Sequence, residues 1–248
     1  MAPSEPITAE RLEFYDQNGY LVVEEYFSRE ACDRLVHEAD RLAAGHYTNI
    51  LDLHEKSVEF HQLLTHQGIL SMADAIQKAR MIPLGSIFFY CKPDNALENG
   101  SVFHQDNYAV KAPFGSYFVC AVALDDADAS NGALLVYPGS HKLGDLANVP
   151  SKNFEFDETG RISKVYPIGN EVTVPEGYER VQLRYSRGSL IFIHGHLVHG
   201  APKNPSSTKW RRKIYLHYIK NGDPFWPGWN AKRRLIERDS TFQPSVDK

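Results

Sequence analysis

Tyr117-Phe118-Val119-Cys120-Ala121-Val122-Ala123-Leu124 is an uncharged run of apolar and aromatic residues, too short for a typical core helix and rich enough in Val and aromatics for a buried strand. Similar runs lie on both sides of it. Ile87-Phe88-Phe89-Tyr90-Cys91 precedes it. Leu134-Leu135-Val136-Tyr137, Leu190-Ile191-Phe192-Ile193 and Ile214-Tyr215-Leu216-His217-Tyr218-Ile219 follow. Turn residues separate the runs: Asn99-Gly100, Asn131-Gly132, Pro138-Gly139, Gly188 and Asn221-Gly222. Short strands punctuated in this way predict an antiparallel sandwich or barrel, here a jelly-roll core beginning at Met81.

Upstream of Met81 the period is helical. Thr8 can cap a helix through Asp16, and Asn18-Gly19 stops it before an extended Tyr20-Leu21-Val22-Val23. Ser28 opens a second helix with Ala31, Leu35, Val36, Ala39 and Leu42 as its apolar stripe. Two further helices are expected over 58–64 and 69–79, separated by Gln67-Gly68. The chain therefore reads as one mainly β domain over 1–248: a helical flank over 1–80, a jelly-roll core over 81–220 and a tail over 221–248. A long connection over 142–179, of the length that often forms a lid, interrupts the core. Trp226 and Trp229 suggest a clamp over the barrel or a dimer contact, so a monomer or a homodimer is expected.

Composition narrows the function. A net charge of −4 disfavours nucleic acid, and Arg211-Arg212-Lys213 is a short basic cluster. Three scattered cysteines, Cys32, Cys91 and Cys120, read as reduced thiols. Neither a secretory leader nor a membrane span is evident, so a soluble cytoplasmic protein is expected.

The chemistry begins at Phe103-His104-Gln105-Asp106. On an extended strand His104 and Asp106 point the same way and can grip one side of a metal ion. Gly188 to Gly200 supplies three candidates for a third ligand: His194, His196 and His199. His199 is preferred because the following Gly200 would leave close access for a bulky ligand, and His194 and His196 flank Gly195 in an expected turn. Two histidines and a carboxylate form the facial triad of non-haem iron(II) oxygenases. Arg211, twelve residues beyond His199, would face inward with Lys213, Tyr215 and His217. A buried guanidinium implies an anion, and its planar fork suits a carboxylate. The alternative for Arg211-Arg212-Lys213 is a solvated edge.

Taken in order, Asn18 to Val23, His104-Gln105-Asp106, Asn131-Gly132-Ala133-Leu134-Leu135-Val136-Tyr137-Pro138-Gly139-Ser140-His141-Lys142, and Gly188 to Gly200 followed by Arg211 resemble the phytanoyl-CoA dioxygenase family. The resemblance runs from about Thr8 to Ile219. It implies a double-stranded β-helix (cupin-like) fold and dependence on iron(II), 2-oxoglutarate and oxygen. It places His104, Asp106 and His199 as iron ligands and Arg211 against the far carboxylate of 2-oxoglutarate, with Phe88 and Val122 packing on that co-substrate. Asn107, Tyr108 and His196 are substrate candidates.

Two departures from the family pattern shape the expectation. The spacing from His199 to Arg211 is about one residue longer than the family pattern, which leaves Arg212 as an alternative. The chain is also shorter than acyl-CoA-hydroxylating relatives and has no basic patch for a CoA phosphate, which favours a small free molecule as substrate. Asp106 stands where halogenating relatives carry Ala or Gly, so hydroxylation, demethylation or desaturation is expected instead. Rival readings are a zinc or other cupin-like metal enzyme using His194, His196 and His199, and a non-catalytic binding module.

Overall fold

The computed structural model describes residues 7–47, 49–93, 100–150, 154–156, 162–165, 170–174, 176–228 and 233–243. Helix α1 (Ala9–Asn18) starts where the Thr8 hydroxyl accepts the Arg11 N–H, and ends at Gly19, whose φ of 78° turns the chain into strand β1 (Tyr20–Val23). Ser28 caps α2 (Arg29–Ala43) in the same way through the Ala31 N–H. The buried stripe of α2 is Cys32, Leu35, Ala39 and Ala43; Val36 and Leu42 flank it, so the stripe sits slightly round the helix from the sequence expectation.

After β2 (Ile50–Leu51) come α3 (Val58–Leu64) and α4 (Gln67–Gln77). Gln67-Gly68, expected to separate these helices, is the first turn of α4, capped by the His66 ring accepting the Ile69 N–H. Glycine serves packing there: a Cβ at residue 68 would lie 2.0 Å from the Tyr26 hydroxyl.

The core strands are β3 (Met81–Phe89), β4 (Ser101–His104), β5 (Tyr117–Ala123), β6 (Leu135–Val136), β7 (Asn148–Pro150), β8 (Phe154–Phe156), β9 (Ile162–Val165), β10 (Asn170–Val172), β11 (Val181–Gln182), β12 (Leu190–His194), β13 (His199–Ala201) and β14 (Lys213–Lys220). They form a jelly roll of two main antiparallel sheets. The larger has the order β1-β12-β5-β14-β3-β2 and the smaller β11-β6-β13-β4. Within the long connection β7 pairs with β10 and β8 with β9; residues 151–153, 157–161, 166–169 and 175 of it lie outside the described residues, as do Asn99 and Trp229. No helix among the described residues is long and apolar enough to cross a membrane.

Strand alternation divides the larger sheet into two environments. Its outer face carries Phe88, Cys120, Val122, Leu190, Phe192, Ile214, Leu216 and Tyr218, packed in one cluster with the helices. Its inner face carries Ala121, Ala123, Ile191 and Ile193, with Tyr215 packed beside them. Register places Lys213 opposite Ala123, Tyr215 opposite Ala121 and His217 opposite Val119.

This pattern corrects two expectations. Phe88 and Val122 do not line the interior; both are fully buried on the helix side, where the Phe88 ring meets Phe60 edge-on at 6.4 Å. Each lies one residue out of phase with the inward set.

The C-terminal stretch folds back on the barrel. Phe225 packs with Leu84, Val110 and Tyr117, and Arg233 donates to the Ala109 carbonyl.

Burial leaves several imidazoles unable to charge. It pushes His54 down to about 4 and His194 down to about 3. Above the unfolded value of 6.5 neither state is protonated and the full stability is present. As pH falls below 6.5 the unfolded chain takes up protons that the folded chain refuses, and stability is lost. Each such imidazole accounts for roughly 1–2 kcal/mol at pH 5. The metal-free protein is therefore expected to melt several degrees lower at pH 5 than at pH 7; a pH-independent melting temperature over that interval would contradict these buried neutral imidazoles.

Candidate metal centre

The centre is assembled by one strand pairing. β13 runs antiparallel to β4 with His199 directly opposite His104, and their rings lie 4.5 Å apart, centre to centre. The strand geometry continues through Gln105, so Asp106, first residue of a short 3-10 turn (Asp106–Ala109), returns to the same side. Its Oδ1 lies 3.4 Å from His104 Nε2 and its Oδ2 lies 3.6 Å from His199 Nε2. The three side chains offer ligand atoms within 4.8 Å of one another, the one such group among the described residues.

Each imidazole is oriented by the backbone carbonyl two residues before it. His104 Nδ1 lies 2.7 Å from the Val102 carbonyl, and His199 Nδ1 lies 3.0 Å from the Leu197 carbonyl. A carbonyl can only accept, so both Nδ1 atoms carry hydrogen and both Nε2 atoms face Asp106. His199 Nε2 and Asp106 Oδ2 are buried with no hydrogen-bond partner. Unpartnered nitrogen and oxygen atoms facing each other fit a cation between them, and the donor set fits a non-haem iron.

Burial holds His199 down to about 4 against the pull of Asp106. Burial also opposes charge on His104, but there the hydrogen bond and charge of Asp106 outweigh it and the net shift is upward. Asp106 itself, although burial opposes its charge, is held well below the usual carboxylate range by His199 and His104.

His194 and His196 do not join the group. His194 Nδ1 accepts the His196 N–H, and its ring packs 4.9 Å from that of His141. His196 Nε2 lies 3.2 Å from Asp145 and 3.1 Å from the Asn107 amide. The three-histidine site considered from sequence is therefore not formed. Asn107 also exchanges hydrogen bonds with both backbone groups of Ala112, and Tyr108 is exposed. Gly200 serves a different end from the expected ligand access: a Cβ there would lie 3.1 Å from the Phe103 ring and from two β4 carbonyls, so its smallness permits the β4–β13 contact.

Gln105 has a structural part that the sequence reading missed. Its amide donates to the Gly144 and His196 carbonyls and accepts the Leu146 N–H, tying the 144–146 segment to both ligand strands. Tyr117 was missed too; its hydroxyl lies 2.6 Å from Nδ1 of His217, whose Nε2 is buried without a partner.

Arg211 is 2% exposed. Nη2 donates to the Pro202 carbonyl at 3.3 Å, whereas Nε and Nη1 have no partner. Gly132, at φ 75°, makes room for it, since a Cβ there would lie 3.2 Å from Nη1 and 2.6 Å from the Lys203 carbonyl. Arg212 is already committed, forming two side-chain hydrogen bonds to Asp125 at 2.9 and 2.7 Å. Of the two arginines, Arg211 is the one with nitrogens left for an anion.

The phytanoyl-CoA dioxygenase (PhyH) family profile matches residues 15–213. The chain belongs to this family. Phytanoyl-CoA dioxygenase 1 of Oryza sativa subsp. japonica is 25% identical, with 98% of this chain and all of the relative covered. The peroxisomal phytanoyl-CoA dioxygenase of Mus musculus is 26% identical over 86% of this chain and 68% of its own. Among solved structures, the epimerase SnoN from nogalamycin biosynthesis, in complex with Fe3+, alpha ketoglutarate and nogalamycin RO, superposes with a TM-score of 0.71 at 20% identity, covering 96% of this chain and 95% of that one. EctD from S. alaskensis with 2-oxoglutarate and 5-hydroxyectoine gives 0.65 at 19% identity, covering 89% and 78%. At these identities the superpositions establish a shared fold.

In this family member Asp106→Ala removes the candidate carboxylate ligand at the rim of a strand pair without opening the helix-side core. Iron(II) affinity is expected to fall by at least about 100-fold, more than loss of an outer hydrogen-bonding partner gives. The melting temperature of the metal-free protein is expected to stay within a few degrees; loss of the cooperative transition would show that Asp106 carries the fold.

Proposed function

We propose that this protein is an iron(II)- and 2-oxoglutarate-dependent oxygenase that hydroxylates, demethylates or desaturates an unactivated C–H position of a small free molecule, with release of succinate and carbon dioxide. One observation carries the reading. The buried ligand set, with its unpartnered Asp106 Oδ2 and His199 Nε2, shares the jelly roll with a buried Arg211 whose Nε and Nη1 lack an acceptor. A metal at one end and a carboxylate at the other would satisfy both. SnoN and EctD, which share the fold, are described with iron or 2-oxoglutarate bound, in keeping with the reading.

His104, Asp106 and His199 would hold the iron. Once bound, the metal supplies the oxygen activation and redox chemistry that no side chain provides. The chain's own work is positioning. The Val102 and Leu197 carbonyls hold the imidazoles in one tautomer and orientation. Arg211 receives the far carboxylate of the co-substrate through its planar fork. Ala121, Ala123, Leu134 and Ile191 supply apolar walls to the interior, which would limit water there. A net charge of −4 favours a free small molecule over a CoA thioester.

Two measurements test this. Iron-loaded protein in air is expected to convert 2-oxoglutarate slowly to succinate without any added substrate, and His104→Ala is expected to abolish the conversion; no succinate from wild type with iron bound would contradict the proposal. Arg211→Lys replaces a two-donor fork by a point charge, a loss of about 1.5–3 kcal/mol for a charged hydrogen bond. The 2-oxoglutarate KM is then expected to rise roughly 10- to 100-fold with iron affinity unchanged. An unchanged KM would remove Arg211 from the site.

A further inference from the structure

We propose that Lys213 is a second cation of the co-substrate pocket, sharing with Arg211 the far carboxylate of a 2-oxo dicarboxylic acid. The inference rests on the oxygenase reading above and extends it to a residue that is not one of the expected ligands or anchors.

Lys213 opens β14 two residues after Arg211, in phase with the inward-facing Tyr215 and His217. It is 7% exposed, opposite Ala123 on β5 and Phe89 on β3. Its ammonium lies 4.8 Å from the centre of the Tyr215 ring and 5.7 Å from that of Phe89. Among the described residues no carboxylate lies within ion-pair distance of it.

Other well-covered cations are treated differently: Arg212 holds Asp125 and Arg238 holds Asp74, both at 2.7 Å. Arg211 and Lys213 are thus two like charges, two residues apart and turned into the interior, neither with an acidic partner. Such an arrangement is unfavourable in the empty protein and becomes favourable when an anion enters. Burial lowers the pKa of Lys213, and Arg211 pushes in the same direction, as expected of a cation lacking its counter-ion.

Lys213 lines an internal cavity with Ala121, Ala123, Leu134, Tyr185, Ile191 and Tyr215. The two alanines keep that side open, whereas Cys120 and Val122 fill the opposite face of the same strand. A carboxylate has lone pairs enough for both cations: the guanidinium fork takes part of them and the ammonium the remainder. The consequence is selectivity for a 2-oxo acid with two carboxylates.

The test is calorimetric titration of anaerobic, iron(II)-loaded protein with 2-oxoglutarate and with 2-oxobutanoate, which lacks the far carboxylate. Lys213→Met is expected to weaken 2-oxoglutarate by about 10-fold or more and to leave 2-oxobutanoate within about 2-fold. Lys213→Arg, which keeps the charge, is expected to retain most of the preference. The metal-free Lys213→Met protein is expected to melt above wild type, because an unpaired buried cation is gone; Lys213→Gln takes its place in both measurements if the methionine variant does not fold. Unchanged 2-oxoglutarate affinity would overturn the inference while leaving the oxygenase reading intact. Equal weakening of both acids would also overturn it, placing the lysine at the keto-acid end. A wild type that binds neither acid would overturn the oxygenase reading itself.

Discussion

The antiparallel pairing of β4 with β13 is the constraint on which the rest of this molecule depends. It sets His104 against His199, and the carbonyls two residues back along each strand fix the two rings. Asp106 completes the group because the chain stays extended for one more residue before turning. Gly200 lets the strands approach, and Gln105 ties the adjoining loop to them. A shift of one residue in this pairing would direct the imidazoles to the opposite face of the sheet. The centre is therefore a property of register as much as of residue type.

The same alternation organises the opposing sheet. On β14 the outward residues Ile214, Leu216 and Tyr218 bind the helices to the barrel, and the intervening Lys213, Tyr215 and His217 face the interior. Stability and chemistry are thus interleaved along one strand. The helices cover the outer face of the larger sheet and leave the smaller sheet to carry His104 and His199, the two imidazoles of the candidate centre. On the interior side Asp106, His199, Arg211 and His217 all carry buried atoms without a partner. Such groups destabilise a protein that binds nothing, and they become assets when a cation and an anion arrive together.

Much of this was legible in the sequence. Uncharged β-rich runs between turn residues gave the jelly roll, and capping residues at Thr8 and Ser28 gave helix starts that the structure reproduces. His104 and Asp106 could be paired from period two alone. Arg211 could be set apart from Arg212 by facing, though only the structure shows Arg212 already bound to Asp125. What escaped was phase and partner choice. Phe88 and Val122 sit in fully buried runs, apolar on both faces, where composition holds no sign of which side looks inward. His194 and His196 differ from His199 by the neighbours they meet, and those neighbours, His141, Asp145 and Asn107, come from distant parts of the chain. Gln67-Gly68 read as a break because glycine is a poor helix former; the close approach of Tyr26, which requires glycine, is a tertiary fact.

In the proposed oxygenase one buried interior receives a metal and a 2-oxo acid together. Anaerobic titration of the metal-free protein with iron(II) and then 2-oxoglutarate tests it most directly, through the weak visible charge-transfer band of an iron–keto-acid chelate. A band is expected to develop only when both are present, and His104→Ala is expected to eliminate it. Iron that binds with no band on adding 2-oxoglutarate would contradict it.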